Sequence, residues 1–206
     1  MSRPATDDPF ELLGLPPSFR LDAAAIRAAQ VRRMTLVHPD RAAGPAQAAD
    51  FARLAAAIND AARRLDDPIT RGEALLRRAR SGTAGQTGGG EPIAPDAMFL
   101  MEAMELREAL DEAIESGDAE RLAILRADAE GRYEEACEAA ADALDALGHS
   151  IPSPAPAPSR DAEQALARLR YATRLRDRAR HPTSHADGAR DERPDARPDE
   201  RVGGGG

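Results

Sequence analysis

The stretch RAAQVRRMTLVHPDRAAGPAQAADFARLAAAINDAARRL, residues 27–65, decides the fold. Apolar side chains recur at helical spacing on both sides of His38-Pro39-Asp40, which interrupts the pattern. Pro39 has no amide donor and holds the preceding residue extended, so the first helix is expected to end at His38. Gly44-Pro45 closes the loop, and Phe51, Leu54, Ala55, Ile58, Ala61, Ala62 and Leu65 then mark the next helix. Two antiparallel helices joined by a stiff loop aim its side chains in one direction and form a polar knob beside a basic helix.

Outward from this hairpin the chain stays helical. Asp22 caps the segment Ala23–Val37, whose apolar side is Ile26, Ala29, Met34 and Val37 and whose Arg27, Arg32 and Arg33 are expected to extend into solvent. Asp8-Pro9 opens a short helix that stops near Gly14, and Asp67-Pro68 opens another carrying Ile69, Ala74, Leu75 and Leu76. Residues 1–80 thus form a first unit. Residues 81–95, rich in Gly, Ser, Thr and Pro, read as a linker. Three more helices are expected over residues 96–180: one from Asp96 to about Glu115, one after Gly117-Asp118 carrying Leu122, Leu125, Ala129, Tyr133, Ala136, Ala140 and Leu144, and one from Asp161 to Arg180 beyond the Pro-rich segment Ile151–Ser159. These can bury a second small core. Residues 181–206 are polar and read as a flexible tail. No alternating strand pattern occurs, so the fold class is all-α with two units.

Composition narrows the function. A net charge of -8 argues against a general nucleic-acid or membrane-surface binder, although local arginine clusters can meet an acidic protein. No stretch resembles a signal peptide or a membrane span, and a cytoplasmic protein is expected. The single cysteine, Cys137, excludes an internal disulfide and suits a small core residue. His38, Asp40 and the remote His149 lack a metal-ligand spacing. No nucleophilic constellation accompanies them, so neither an enzyme nor a bound cofactor is expected.

By themselves, His38 and Asp40 have two open uses: turn stabilisation, or contact with a partner. HPD placed between RAAQVRRMTLV and FARLAAAINDAARRL resembles the J-domain family, whose members stimulate ATP hydrolysis by DnaK-type chaperones. That resemblance implies chaperone contact through His38, Pro39 and Asp40, with Arg27, Arg32, Arg33 and Arg41 as the basic helix-face and loop contacts. Pro39 would stiffen the turn, Asp40 would accept charge-assisted hydrogen bonds, and the arginines would complement an acidic partner.

The segment MFLMEAMELREALDE, residues 98–112, is apolar on two sides. Phe99, Ala103, Leu106, Leu110 and Ala113 form one stripe suited to a core. Leu100, Met101, Met104, Glu105, Glu108 and Glu112 lie broadly opposite, where they either meet the neighbouring helices or dock another protein. The order FELLGLP, HPD, INDAARRLDDPITRGEALL and FLMEAMELREALDEAIESGDAERL is similar to the HscB-like iron–sulfur co-chaperones, over about Asp8 to Arg180. This resemblance implies a scaffold-binding face of Leu100, Met101, Met104, Glu105, Glu108 and Glu112, joined by Tyr171 and Arg170 from LARLRYATRLRDR. Tyr171 has a second use as an ordinary packing residue.

The implied function is recruitment of an iron–sulfur cluster scaffold to a specialised DnaK-type chaperone, with stimulation of that partner's ATPase. The alternatives are a generic DnaJ-like carrier of unfolded clients and a helical interaction module with no chaperone role.

Overall fold

A computed structural model describes residues 7–38, 41–82, 93–149 and 160–182. Pro39 and Asp40, most of the expected linker, the Ile151–Ser159 segment and the expected tail beyond residue 182 lie outside the described residues. The described residues form seven helices and no strand: α1 (Pro9–Leu13), α2 (Ala23–Leu36), α3 (Pro45–Asp66), α4 (Pro68–Gly82), α5 (Ala97–Ser116), α6 (Ala119–His149) and α7 (Arg160–Arg180).

Local chemistry sets their ends. Asp8 accepts a hydrogen bond from the Phe10 amide and Pro9 occupies the first turn of α1, which stops at Gly14 with φ 67°. Asp22 caps α2 through the Ala24 amide, and Asp67 receives the Ile69 and Thr70 amides at the start of α4. Asp96 accepts from the Phe99 amide at 3.0 Å, and Gly117, with φ 68°, ends α5. Asp118 then receives the Arg121 amide at 2.9 Å at the start of α6.

The α2–α3 hairpin buries Ile26, Ala29 and Val37 against Ile58, Ala61, Ala62 and Leu65, with Phe10, Leu13 and Phe19 closing one side. This core continues through Ala74, Leu75 and Leu76 of α4 into Ala136, Ala140, Ala141 and Leu144 of α6 and Leu166, Leu169 and Ala172 of α7. The close approach needs Gly72: a Cβ there would sit 2.7 Å from Leu166 Cδ1 and 3.2 Å from Leu144 Cδ1. The apolar pattern of α6 is therefore divided between two cores, where the sequence suggested one. Only its beginning joins the smaller cluster of Ala103, Leu106, Leu110, Ala129, Leu175 and Ala179, with Phe99, Leu122 and Leu125 at the margin.

Polar contacts lock the α1–α2 loop onto this larger core. Arg71 is buried and donates to the carbonyls of Phe19 and Leu65, both at 2.6 Å, and of Leu21 at 3.2 Å. Burial pushes its pKa down, but a guanidinium remains charged, and the neutral carbonyls supply the hydrogen bonds that water would otherwise provide. From the other side Asp145 of α6 accepts from the Phe19 amide at 2.6 Å and the Ser18 hydroxyl at 3.0 Å. Arg20 pairs with Glu138 at 2.7 Å and Asp142 at 2.9 Å.

Candidate functional site

Two surfaces hold the candidate residues, one at each end of this framework. At the first, His38 is exposed at the end of α2, and its carbonyl accepts the Arg41 amide at 3.0 Å. The Arg41 guanidinium donates to the Thr35 carbonyl at 3.3 Å, tying the end of the loop back to α2. Arg27 and Arg32 are exposed, as their helical positions require. Arg33 departs from the expected solvent-facing placement: it is half-buried, and its guanidinium turns back to donate to the Glu11 carbonyl of α1 at 3.3 Å. The reason is a long side chain beside the tight Gly14 turn, where the Glu11 carbonyl at the end of α1, which already accepts the Gly14 amide at 3.2 Å, has a second lone pair to offer. Beside His38 a cavity of about 560 Å³ opens between α2 and α3, lined by Val31, Met34, Val37, Phe51 and Ala55 among others.

The second surface is the outer side of α5. Ala103, Leu106, Leu110 and Ala113 are buried and Phe99 partly so, which orients the helix unambiguously. Met101 and Met104 are then left 60% and 54% exposed, without cover from the other helices, while Leu100 is half-buried. Met98, absent from the expected set, is more exposed still, at 67%. Its signal was present as the same three-residue step that relates Met101 to Met104. Glu105, Glu108 and Glu112 are exposed on the same side of α5, with Glu108 between Met101 and Met104 on the helical period and Glu112 meeting Arg121 at 2.9 Å. Exposed ion pairs of this kind are weak and exchange readily with an incoming partner.

The structure brings Tyr171 to this surface and takes Arg170 away from it. Tyr171 is 38% exposed and stands edge-on to Phe99, with ring centroids 6.3 Å apart. Arg170 points toward α4, where it pairs with Glu73 at 2.8 Å. About 100° of helical turn separates adjacent residues, so neighbours in sequence cannot share one face. Asp96 holds the start of α5 in place through the Phe99 amide and Arg168, and these donors keep its carboxyl below the usual range.

No cluster of three or more His, Cys, Asp or Glu suited to a metal occurs among the described residues. Cys137 is half-buried against the larger core, and burial pushes its thiol pKa up, away from reactivity. No helix among the described residues is long and apolar enough to cross a membrane.

Residues 95–180 match the family described as the HSCB C-terminal oligomerisation domain. A co-chaperone protein HscB homolog of Bordetella petrii is 41% identical over 111 residues, 53% of this chain and 63% of that relative. A homolog of the same description from Cupriavidus taiwanensis is 39% identical over 129 residues, covering 61% of this chain and 71% of the relative. The matched region thus spans less than two thirds of the Bordetella relative's length but more than two thirds of the Cupriavidus relative's. Among solved structures, chaperone HscB from Vibrio cholerae superposes with a TM-score of 0.64 at 26% identity, covering 85% of this chain and 96% of that one. Human co-chaperone protein HscB shares the fold, with a TM-score of 0.57 at 21% identity over 89% of this chain and 88% of that one. Sequence similarity of this extent, together with the shared all-helical fold, settles the relationship: the chain belongs to the HscB co-chaperone family.

Proposed function

We propose that this protein recruits an iron–sulfur cluster scaffold protein to a specialised DnaK-type chaperone and stimulates that chaperone's ATPase. The observation that carries the reading is the outer face of α5, where Met98, Met101 and Met104 are exposed on a helix whose opposite side is already buried. Large apolar side chains interspersed with glutamates suit docking of a folded protein surface, with methionine supplying adaptable anchors and the carboxylates setting register. The chaperone contact is assigned to Arg27, Arg32, Arg33, His38, Pro39, Asp40 and Arg41. Of these, Arg27, Arg32 and His38 are exposed together at the α2 end of the molecule, and Arg33 would have to leave the Glu11 carbonyl to take part.

The scaffold contact is assigned to Leu100, Met101, Met104, Glu105, Glu108, Glu112 and Tyr171, and not to Arg170, which pairs with Glu73 of α4. Neither contact asks this chain to hold a nucleotide or a metal. Its contribution is proximity: two partners bound to one frame meet at a raised local concentration.

The test is the chaperone's ATPase rate with scaffold present, measured with the wild-type protein and with His38→Gln. Stimulation by wild type and its loss, by about tenfold or more, in the variant is the expected result. Equal stimulation by the two proteins would remove the chaperone role. Equally tight binding of unrelated unfolded peptides at the α5 face would instead favour a generic client carrier.

A further inference from the structure

Deepening the chaperone reading and resting on it, we propose that Thr35 is a phosphorylation site for an arginine-directed serine/threonine kinase, and that phosphate there switches off the chaperone contact of α2. Arg32-Arg33-Met34-Thr35 sets guanidinium groups two and three residues before a hydroxyl, and Thr35 is the only serine or threonine of the chain with arginine at both positions. A kinase whose substrate groove carries carboxylates reads such a pair through charge-assisted contacts. In the folded protein Thr35 is exposed at the next-to-last position of α2, and it lines the α2–α3 cavity together with His38.

Kinases take their substrates extended, so the end of α2 has to open first. Thr35 and Leu36 are exposed and Met34 is half-buried, which leaves the last turn held by the Arg33 hydrogen bond to the Glu11 carbonyl and by Val37 at its cap. Ile26 and Ala29, the buried residues of the helix, lie further back and keep it docked. A helix end of this kind opens at far lower cost than the whole domain. Thr35 Oγ1, which donates to the Arg32 carbonyl at 2.8 Å in the closed helix, then attacks the γ-phosphorus of ATP. The bond from that phosphorus to the β–γ bridging oxygen breaks, ADP departs with the electron pair, and the hydroxyl proton passes to the kinase's catalytic base.

The phosphate lands inside the surface assigned to the chaperone. Arg32 is exposed one turn before Thr35, and the Arg41 guanidinium already donates to the Thr35 carbonyl at 3.3 Å. A group of charge about -2 with three acceptor oxygens draws both arginines toward itself, and it cancels about half the positive charge of Arg27, Arg32, Arg33 and Arg41. It also sits at the carbonyl end of α2, where the helix dipole repels an anion, so the turn that presents His38 loosens. An acidic chaperone surface then meets repulsion where it had met attraction. Thr35 itself belongs to neither assigned contact, so the switch lies in the phosphate and not in the hydroxyl.

The experiment uses the full chain, ATP with magnesium and a purified serine/threonine kinase of the cyclic-AMP-dependent class, which selects arginine two and three residues before its target. Peptide mass spectrometry is expected to find phosphate on Thr35. The phosphorylated protein should then reach half-maximal stimulation of the DnaK-type chaperone's ATPase only at about tenfold higher concentration at low salt. The deficit should shrink at about 0.5 M salt and vanish after phosphatase treatment. Thr35→Ala should stimulate like wild type both before and after exposure to the kinase. That variant keeps Ser81, which follows Arg78 and Arg80 and offers the same kinase a second hydroxyl, so an equal loss in Thr35→Ala would assign the effect elsewhere and overturn the switch. Absence of phosphate on Thr35 in the folded chain overturns the site, and phosphate on Thr35 with unchanged stimulation overturns the switch. If the unmodified protein fails to stimulate the chaperone, the chaperone reading itself falls and the switch falls with it.

Discussion

The near and far halves of the α6–α7 pair are built from the same residue types but hold the molecule together differently. Near the α1–α4 unit, Ala136, Ala140, Leu144, Leu166 and Leu169 share one continuous core with the J-type hairpin and with α4. Under α5, Ala129, Leu175 and Ala179 close a cluster of six buried residues. The first arrangement makes the hairpin and the helical platform a single packed body, so the α2 arginines and the α5 methionines stand in a fixed relation. The second leaves α5 held by one buried stripe, which frees its opposite face for a partner.

That contrast can be broken at three points. The largest effect is expected at Leu166, fully buried beside Gly72 and Leu144. Leu166→Ala should destabilise the protein by about 3–5 kcal/mol in denaturant unfolding, since the continuous core cannot collapse around the void. It should also uncouple the two ends, so that scaffold no longer enhances ATPase stimulation. A loss under about 1 kcal/mol would show that the two units are not one packed body.

Leu110→Ala is expected to cost about 2–3 kcal/mol, at the lower part of the range because the small cluster at the margin of the bundle relaxes more easily. Its functional signature is opposite in kind: scaffold affinity falls, while scaffold-independent stimulation of the chaperone through α2 and His38 is retained. Hydrogen exchange should report faster opening of α5 with α2 and α3 still protected. Uniform acceleration across all helices would mean that the two cores unfold together.

The smallest effect concerns Asp96. Its folded-state pKa lies below the usual aspartate value, first through the Phe99 amide and then through Arg168, so its contribution is present above the unfolded pKa of about 3.9 and lost as pH falls through the lower folded value. The melting temperature of Asp96→Asn should trail wild type at pH 7, and the gap should close below about pH 4. A gap independent of pH would assign the loss to packing at the start of α5.

Much of this architecture was legible because helix ends are governed by local chemistry. Asp8, Asp22, Asp67 and Asp96 each accept amides at the helix starts where their sequence positions placed them, and Gly14 and Gly117 adopt the left-handed turn that ends α1 and α5. The core stripe of α5 was legible for the same reason, since Ala103, Leu106, Leu110 and Ala113 follow one helical period. Side-chain reach was not legible. Arg33 looks like any surface arginine in sequence, yet it closes on the Glu11 carbonyl, 22 residues away. Arg71 sits among charged neighbours in α4, but it is buried under a loop 50 residues earlier in the chain.

The sequence by itself determined seven helical segments, the HPD-bearing hairpin and a two-sided α5, because capping, proline geometry and apolar periodicity act over a few residues. Only the tertiary structure decided that α6 divides its apolar residues between two cores and that Arg170 faces α4 while Tyr171 joins the α5 surface. Those outcomes depend on which helix lies across from which, and that is settled by the volume and reach of side chains distant in the chain.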